Sequence, residues 1–330
     1  MENALVVYNG FLNTASLPPC VRLFCDAAKK FGVNLAPVKN TEFADLLTTG
    51  GANSIARLSP YKYKFIIFWD KDLVLCDTLE KNGYAVHNGR RAIEVCDDKA
   101  LTALALDGRV KMPKTAVAPK TFTNIGYTNA DFLDFVENFL EFPIVVKERF
   151  GSLGEQVFFA GDKKTLKNIV ANIGGRPVLF QEFINTSETP KIISRSTQNH
   201  ALKRVFEAIN EKTDENCDDA PGKGAFDIRL YVIGGKAEGA VLRHNPADFR
   251  ANFAQGSHSF FYVPSPEEKI LAETAANLLG LSFCGVDIAM DARGERYLLE
   301  VNSNAGFVDF NKTSGINIAE KILSFLTAQK

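Results

Sequence analysis

The sequence predicts an α/β protein in which a parallel α/β layer at the N-terminus is followed by α+β lobes. Three observations carry this prediction. Over the first ninety residues short apolar strands alternate with helical stretches, the pattern of a parallel sheet with crossover helices. From 114 to 184 the order changes to strand, helix, two strands joined by a glycine-containing turn, helix and strand. Near the C-terminus two apolar-rich runs flank Arg293-Gly294, a step suited to a tight hairpin turn.

Taken in order, Ala4–Tyr8 is a short buried strand ending at Asn9-Gly10, and 19–31 is a helix closed by Gly32. Phe65–Trp69 and Tyr84–His87 are strands around a helix over 71–82. Asp70 and Asp72 follow the second strand, at the carboxyl end where open α/β sheets bind ligands, although either could simply cap the next helix. Residues 91–107 read as helix interrupted near Asp97-Asp98. Strands at 114–118, 143–149, 156–160 and 178–184 enclose helices at 129–140 and 162–173. The stretch 185–224 is polar and nearly charge-balanced, with one possible helix around Ala201–Ile209. A connection this long reads as a functional lid or as disorder. Phe226–Ile233 and Ala237–Arg243 form a hairpin at Gly234-Gly235. Ser265-Pro-Glu-Glu268 starts a helix with a capping box that ends at Gly280, and Ile316–Thr327 is a terminal amphipathic helix.

The C-terminal hairpin is the most informative element. If Arg293 and Gly294 form its loop, Ala292 stands opposite Glu295, Asp291 opposite Arg296, and Asp287 opposite Glu300. Asn302 then shares their face, and Val286, Ile288 and Met290 form the other face with Tyr297, Leu299 and Val301. Opposed carboxylates repel, with Cβ atoms only about 5 Å apart. A cation is expected to offset them, and all-oxygen ligands suit a hard divalent ion such as Mg²⁺.

Bulk properties narrow the function classes. The chain has 330 residues, 46% hydrophobic and 23% charged, so two or three soluble domains can surround one site. A net charge of −1 argues against a nucleic-acid or membrane surface. The expected location is cytoplasmic, with neither signal peptide nor membrane span. The six cysteines include no CxxC pair and read as reduced thiols; the four histidines lack zinc-like spacing.

Several residues suit phosphate chemistry. Lys147 lies on an apolar strand just before the Gly151–Gly154 turn. Strand lysines ordinarily face solvent, but an ammonium beside backbone N–H groups makes a workable phosphate grip. Neither a Walker A loop nor a strand–GxGxxG–helix unit is present. Asp98-Lys99 alone reads as surface charge, and Phe180–Ile184 is a buried strand whose backbone could meet an adenine edge. Asp227 and Arg229 share a strand face, with Arg243 on the next strand and Asp248-Phe-Arg250-Ala-Asn252 beyond. Surface ion pairs would explain any one of these arginines, but less readily all three near paired carboxylates.

The order of these pieces resembles the ATP-grasp superfamily, specifically its RimK-like branch of carboxylate–amine ligases of the alpha-L-glutamate ligase type. The resemblance is carried by Asp98-Lys99; Lys147 with Gly151, Ser152 and Gly154; Gln181-Glu182-Phe183; Asp227-Ile-Arg229; Asp248-Phe-Arg250-Ala-Asn252 with Gln255-Gly256; Gly285-Val-Asp287; and Glu300-Val-Asn302-Ser-Asn-Ala-Gly306. Phe307 and Thr313–Ala319 extend it, and coverage is good from about residue 88 onward.

The resemblance implies an ATP-grasp fold divided as a pre-ATP-grasp domain (1–88), a central lid subdomain (89–184) and a C-terminal subdomain (185–330) carrying the 185–224 insertion. It implies ATP and Mg²⁺ or Mn²⁺ as cofactors. Lys99 and Lys147 would contact phosphates, with the 151–154 turn and Gln181 nearby, and Glu182-Phe183 would line the adenine pocket. Asp227, Arg250 and Asn252 would belong to the nucleotide site. Asp287, Glu300 and Asn302 would ligate metal, and Arg229, Arg243 and Arg250 are candidates for gripping the transferred phosphate. The implied reaction joins an amino acid, glutamate among the candidates, to a peptide, protein tail or small metabolite through an acyl phosphate. The implied assembly is a homodimer or homotetramer. The insertion departs from close family members, which leaves ribose contacts unplaced; Glu188 is the position considered. A non-catalytic ATP-binding module is the alternative of a different class.

Overall fold

The computed structural model describes residues 2–12, 17–49, 62–151, 154–187, 193, 224–251 and 258–329. Among them the strands form three sheets. The first is parallel, ordered β2-β1-β3-β4: β1 (Glu2–Tyr8), β2 (Val33–Lys39), β3 (Ile66–Trp69) and β4 (Val86–His87). Helices α1 (Pro19–Lys30) and α2 (Leu73–Lys81) belong to this layer. The sequence reading lacked β2, an edge strand carrying Pro37 and buried at alternate positions only in part, so it offers no continuous apolar run. Asp72 caps α2, accepting the N–H of Leu75 at 3.0 Å. Asp70 is buried and instead accepts from the side-chain amides of Asn40 (2.8 Å) and Asn9 (3.3 Å).

The second sheet is antiparallel, ordered β5-β8-β6-β7: β5 (Thr115–Val117), β6 (Ile144–Glu148), β7 (Val157–Ala160) and β8 (Val178–Glu182). Helices α5 (Ala130–Leu140) and α6 (Lys163–Ile173) cover one face, where Leu133, Val136, Leu166 and Val170 pack on Ile144, Val146 and Phe180. Strand alternation then turns Val145 and Lys147 to the opposite face.

The third sheet is antiparallel, ordered β11-β10-β9-β12-β13: β9 (Ala225–Ile233), β10 (Lys236–Asn245), β11 (His258–Tyr262), β12 (Phe283–Met290) and β13 (Arg296–Asn302). The edge strand β11 was also missing from the sequence reading. One face buries Ile228, Leu230, Val286 and Ile288 under α7 (Pro266–Leu278). The helices α3 (Arg90–Asp97) and α4 (Lys99–Leu106), divided at Asp98 as expected, give Ala92, Cys96 and Leu106 to this same core. The opposite face is divided. Tyr231, Ile233, Val241 and Phe283 join the first layer in one core with Val6, Phe24 and Ile67. Farther along, the same face carries Asp227, Arg229, Arg243 and Asp287, so burial of the apolar half fixes where the charged half points.

Two joints hold the first layer to the third sheet. Asn88 is 1% exposed, and its side chain donates to the carbonyls of Phe283 and Ser303 and accepts from the N–H groups of Ser282 and Phe283. Phe307 is fully buried and meets Phe24 and Trp69 edge-on at 5.3 and 5.5 Å. That ring anchors the segment after Asn302, which leads into α8 (Val308–Ser314) and α9 (Ile318–Ala328). Among the described residues no helix is long and apolar enough to cross a membrane.

Candidate active site

The second and third sheets line an open cleft of about 900 Å³, the solvent at its mouth included. Lys147 and Val145 reach it from β6, and Gln181, Glu182, Phe183 and Ile184 from the end of β8. Asp227, Arg243, Asp287, Ala289 and Glu300 line it from the third sheet, Lys99 from the start of α4, and Arg250 from beyond β10. Gly151 and Gly154 lie at its edge. Asn302 opens with Glu300 into a smaller adjoining polar pocket. Arg229 does not line the cleft, and reaches the site only through Asp287. Ser152, Asn252, Glu188, Gln255-Gly256 and nearly all of 188–223 lie outside the described residues.

Asp287 does stand opposite Glu300, but by a different route from the expected one. The tip is a longer loop in which the N–H of Asp291 bonds the carbonyl of Glu295, with Gly294 at φ +86°, a conformation that favours glycine. Ile288 then pairs with Leu298, and a bulge at Leu299 restores the register so that Asp287 meets Glu300. The bulge has a consequence for packing: Leu298, not Leu299, enters the core beside Val301, and Leu299 turns into the cleft.

The electrostatics correct one argument made from the sequence. Asp287 is 4% exposed, and Arg229 grips both of its oxygens at 2.6 Å, with Arg243 Nη2 at 3.0 Å from Oδ2. Arg243 also donates to Asp227 Oδ1 at 2.6 Å. Burial alone would raise the Asp287 carboxyl, but Arg229 and Arg243 overcome it and bring it down to about 2. Glu300 has its own cation, Lys99 Nζ at 3.7 Å. The opposed carboxylates are therefore already compensated by the protein, and their proximity does not itself require a metal.

A metal still fits. Asp287 Oδ1 accepts one bond from Arg229, and a carboxylate oxygen has a second lone pair to offer. The Asn302 Nδ2 position is buried without a hydrogen-bond partner, and amide orientation is interchangeable, so a carbonyl oxygen placed there would be an unspent ligand. Asp287, Glu300 and Asn302 thus make a hard, all-oxygen donor set. Among the described residues no group of three or more His, Cys, Asp or Glu side chains could hold a metal, so a Mg²⁺ ion here would rest on the two carboxylates together with the asparagine, water or substrate phosphate.

Lys147 donates to Gln181 Oε1 at 2.6 Å, and Gln181 donates on to Thr115 Oγ1 at 3.0 Å. Burial pushes the lysine from 10.5 down to about 8, with Glu300 opposing the shift and Lys99 adding to it. Such an ammonium is poised to gain from an incoming anion. Glu182 turns back to accept the N–H of Lys114 at 3.1 Å. The apolar walls, Val145, Val157, Phe226, Phe249, Ala289 and Leu299, are not singled out as site residues by the sequence, which places Leu299 in the core. Strand alternation could have found Val145 beside Lys147 and Ala289 beside Asp287, whereas Leu299 depends on the bulge. The cleft therefore combines apolar walls, two lysines and an oxygen donor set, which suits a ligand with both an apolar and an anionic part.

Known proteins resemble this chain in sequence and in fold. The family model described as RimK-like ATP-grasp domain matches residues 97–195 and 192–326. A Mycoplasma pneumoniae protein named "Uncharacterized protein MG012 homolog" is 27% identical over 329 residues, 98% of this chain and 99% of that protein. Human "Beta-citrylglutamate synthase B" is 29% identical over 259 residues, 78% of this chain but 56% of that protein. "Probable alpha-L-glutamate ligase 1" of Pseudoalteromonas atlantica is 29% identical over 178 residues, 52% of this chain and 57% of that one. Among solved structures, a RimK domain ATP-grasp protein from Sphaerobacter thermophilus superposes with a TM-score of 0.61 at 17% identity, covering 99% and 100% of the two chains.

Proposed function

The chain belongs to the RimK-like ATP-grasp family of ATP-dependent, C–N bond-forming ligases, and from that premise we propose that it joins the carboxylate of one substrate to the amine of another through an acyl phosphate. The amino-acid partner in this reading is glutamate, on the strength of similarity to proteins named alpha-L-glutamate ligase and beta-citrylglutamate synthase. The acceptor is a peptide, a protein tail or a small metabolite.

The observation that carries the reading is one cleft that joins Lys99, Lys147 and the Asp287–Glu300 pair. In the proposed reaction a substrate carboxylate oxygen attacks the γ-phosphorus of ATP, the bond to the bridging oxygen breaks, and ADP leaves. The amine then attacks the acyl carbon, phosphate departs, and the amine's proton passes to solvent or phosphate. No protein nucleophile is needed. Lys99 and Lys147 balance phosphate charge, which gains strength in a site walled by Val145, Ala289 and Leu299. Arg243 and Arg229 hold Asp287 ionised and fixed in place. A Mg²⁺ ion held by Asp287, Glu300 and Asn302 would supply further charge neutralisation at the terminal phosphates.

ADP release with a panel of amino acids and short acidic peptides tests this reading. The wild-type chain should release ADP with at least one pair of substrates, and Glu300→Gln should lower the rate by about a hundredfold or more. Equal rates in the two proteins would sink the assignment.

A further inference from the structure

Arg250, which the sequence suggested as a phosphate-gripping residue, divides its guanidinium between two sheets. Nε and Nη2 lie edge-on against Asp248, at 2.9 Å from Oδ1 and 2.7 Å from Oδ2. Nη1 crosses to the second sheet and donates to the carbonyls of Gly154 at 2.8 Å and Val157 at 3.2 Å. Asp248 also accepts the backbone N–H of Arg250 at 2.8 Å, closing a local Asx turn. Its own carbonyl accepts the N–H of Ala225 at 3.4 Å, which ties that turn to the start of β9. Between the two, the Phe249 ring sits 5.6 Å from Phe159 of β7, and Phe159 meets Phe183 edge-on at 5.2 Å. The opposite end of the β6–β7 connection is also held by a cation, since Lys99 Nζ donates to the Gly151 carbonyl at 3.1 Å.

We propose that Asp248 is a positioning residue: it aligns Arg250 as a clasp across the cleft, and the clasp holds the start of β7 against the third sheet. A planar guanidinium bound edge-on by one carboxylate must direct its remaining nitrogen away from that carboxylate, here onto two backbone carbonyls. A lysine has neither the fork nor the reach to do both. With side chains 23% and 22% exposed, the Asp248–Arg250 pair is shielded enough to keep one orientation. The consequence for catalysis rests on the ATP-dependent reading: a nucleotide held between the two sheets needs their spacing fixed, and the clasp fixes it at the β7 end of the β6–β7 connection, as Lys99 does at the β6 end.

Asp248→Asn keeps an acceptor for the Arg250 N–H but removes the charged fork. Hydrogen exchange on the nucleotide-free protein reads the clasp without assuming any chemistry. Amides of Val157–Ala160 should exchange about tenfold faster in Asp248→Asn, the loss of one charge-assisted bond, while β12 and β13 stay at wild-type rates. Arg250→Lys should show the same local loss. In steady state, Asp248→Asn should raise KM for ATP by about tenfold and leave kcat little changed. Unchanged exchange at Val157–Ala160, or faster exchange spread evenly over all three sheets, would overturn the proposal. A wild-type protein that never releases ADP would end the ligase reading, yet the exchange result would still decide the clasp.

Discussion

Lys147 should make nucleotide affinity depend on pH between about 7 and 9. Burial brings its ammonium down to about 8, so at pH 7 about nine in ten groups carry the proton and at pH 9 about one in ten. A bound phosphate favours the charged form, so the affinity owed to that charge should fall about tenfold between pH 7 and pH 9, ~1.4 kcal/mol. Phosphate groups, with a second pKa near 6, are ionised throughout this range. Cys76, Cys96 and Cys284 are raised by burial and do not compete. The stability of the nucleotide-free protein should move the other way. The folded pKa lies below 10.5, so the unfolded chain binds more protons between pH 8 and 10.5. Stability therefore rises with pH across that window and is lost again as pH falls through 8. Calorimetric titration of ADP from pH 7 to 9, beside urea melts at each pH, measures both. Lys147→Arg should move the affinity loss out of the window, and Lys147→Met should bind weakly with a flat profile. A flat wild-type affinity, or affinity and stability rising together, would refute the reasoning.

The two opposed carboxylates should fail differently when changed. Asp287→Ala leaves Arg229 and Arg243 buried without their shared counter-charge and should cost about 3–5 kcal/mol in a urea melt; Glu300→Gln, partly exposed, should cost under about 1 kcal/mol. Gly285→Ala should lower stability by about 1–3 kcal/mol and reduce turnover, because the added Cβ would stand 2.5 Å from that of Ala305, in the segment after Asn302. Asn88→Ala removes a buried side chain with four hydrogen bonds between the first layer and the third sheet. It should cost about 2–4 kcal/mol and be seen as a lower denaturation midpoint at unchanged slope.

What could be read from the sequence was local. The facing of Asp287 and Glu300 followed from strand alternation, although a longer tip and the Leu299 bulge had to cancel for it to hold. The central strands of each sheet announced themselves by apolar runs, while β2 and β11 did not, because an edge strand buries fewer of its residues. The partners of the arginines were out of reach for a different reason. Arg243 lies directly across from Asp227 only because a bulge between Ala237 and Gly239 shifts the β9–β10 hairpin by one residue, and Arg229 lies across from Asp287 only because β12 takes the place on the other side of β9. That strand order is a property of the packed sheet and leaves no mark on sequence spacing. The same holds for Arg250, whose reach to Gly154 and Val157 depends on how the second sheet faces the third.

The central claim is a carboxylate activated by phosphoryl transfer in this cleft. Incubating the protein with ATP, Mg²⁺, L-glutamate and a panel of carboxylate acceptors, and weighing both nucleotide and organic products by mass spectrometry, tests it directly. The account predicts ADP, phosphate and an amide whose mass is that of the two substrates less one water. Release of AMP and pyrophosphate, or nucleotide binding with no product across the panel, would contradict it.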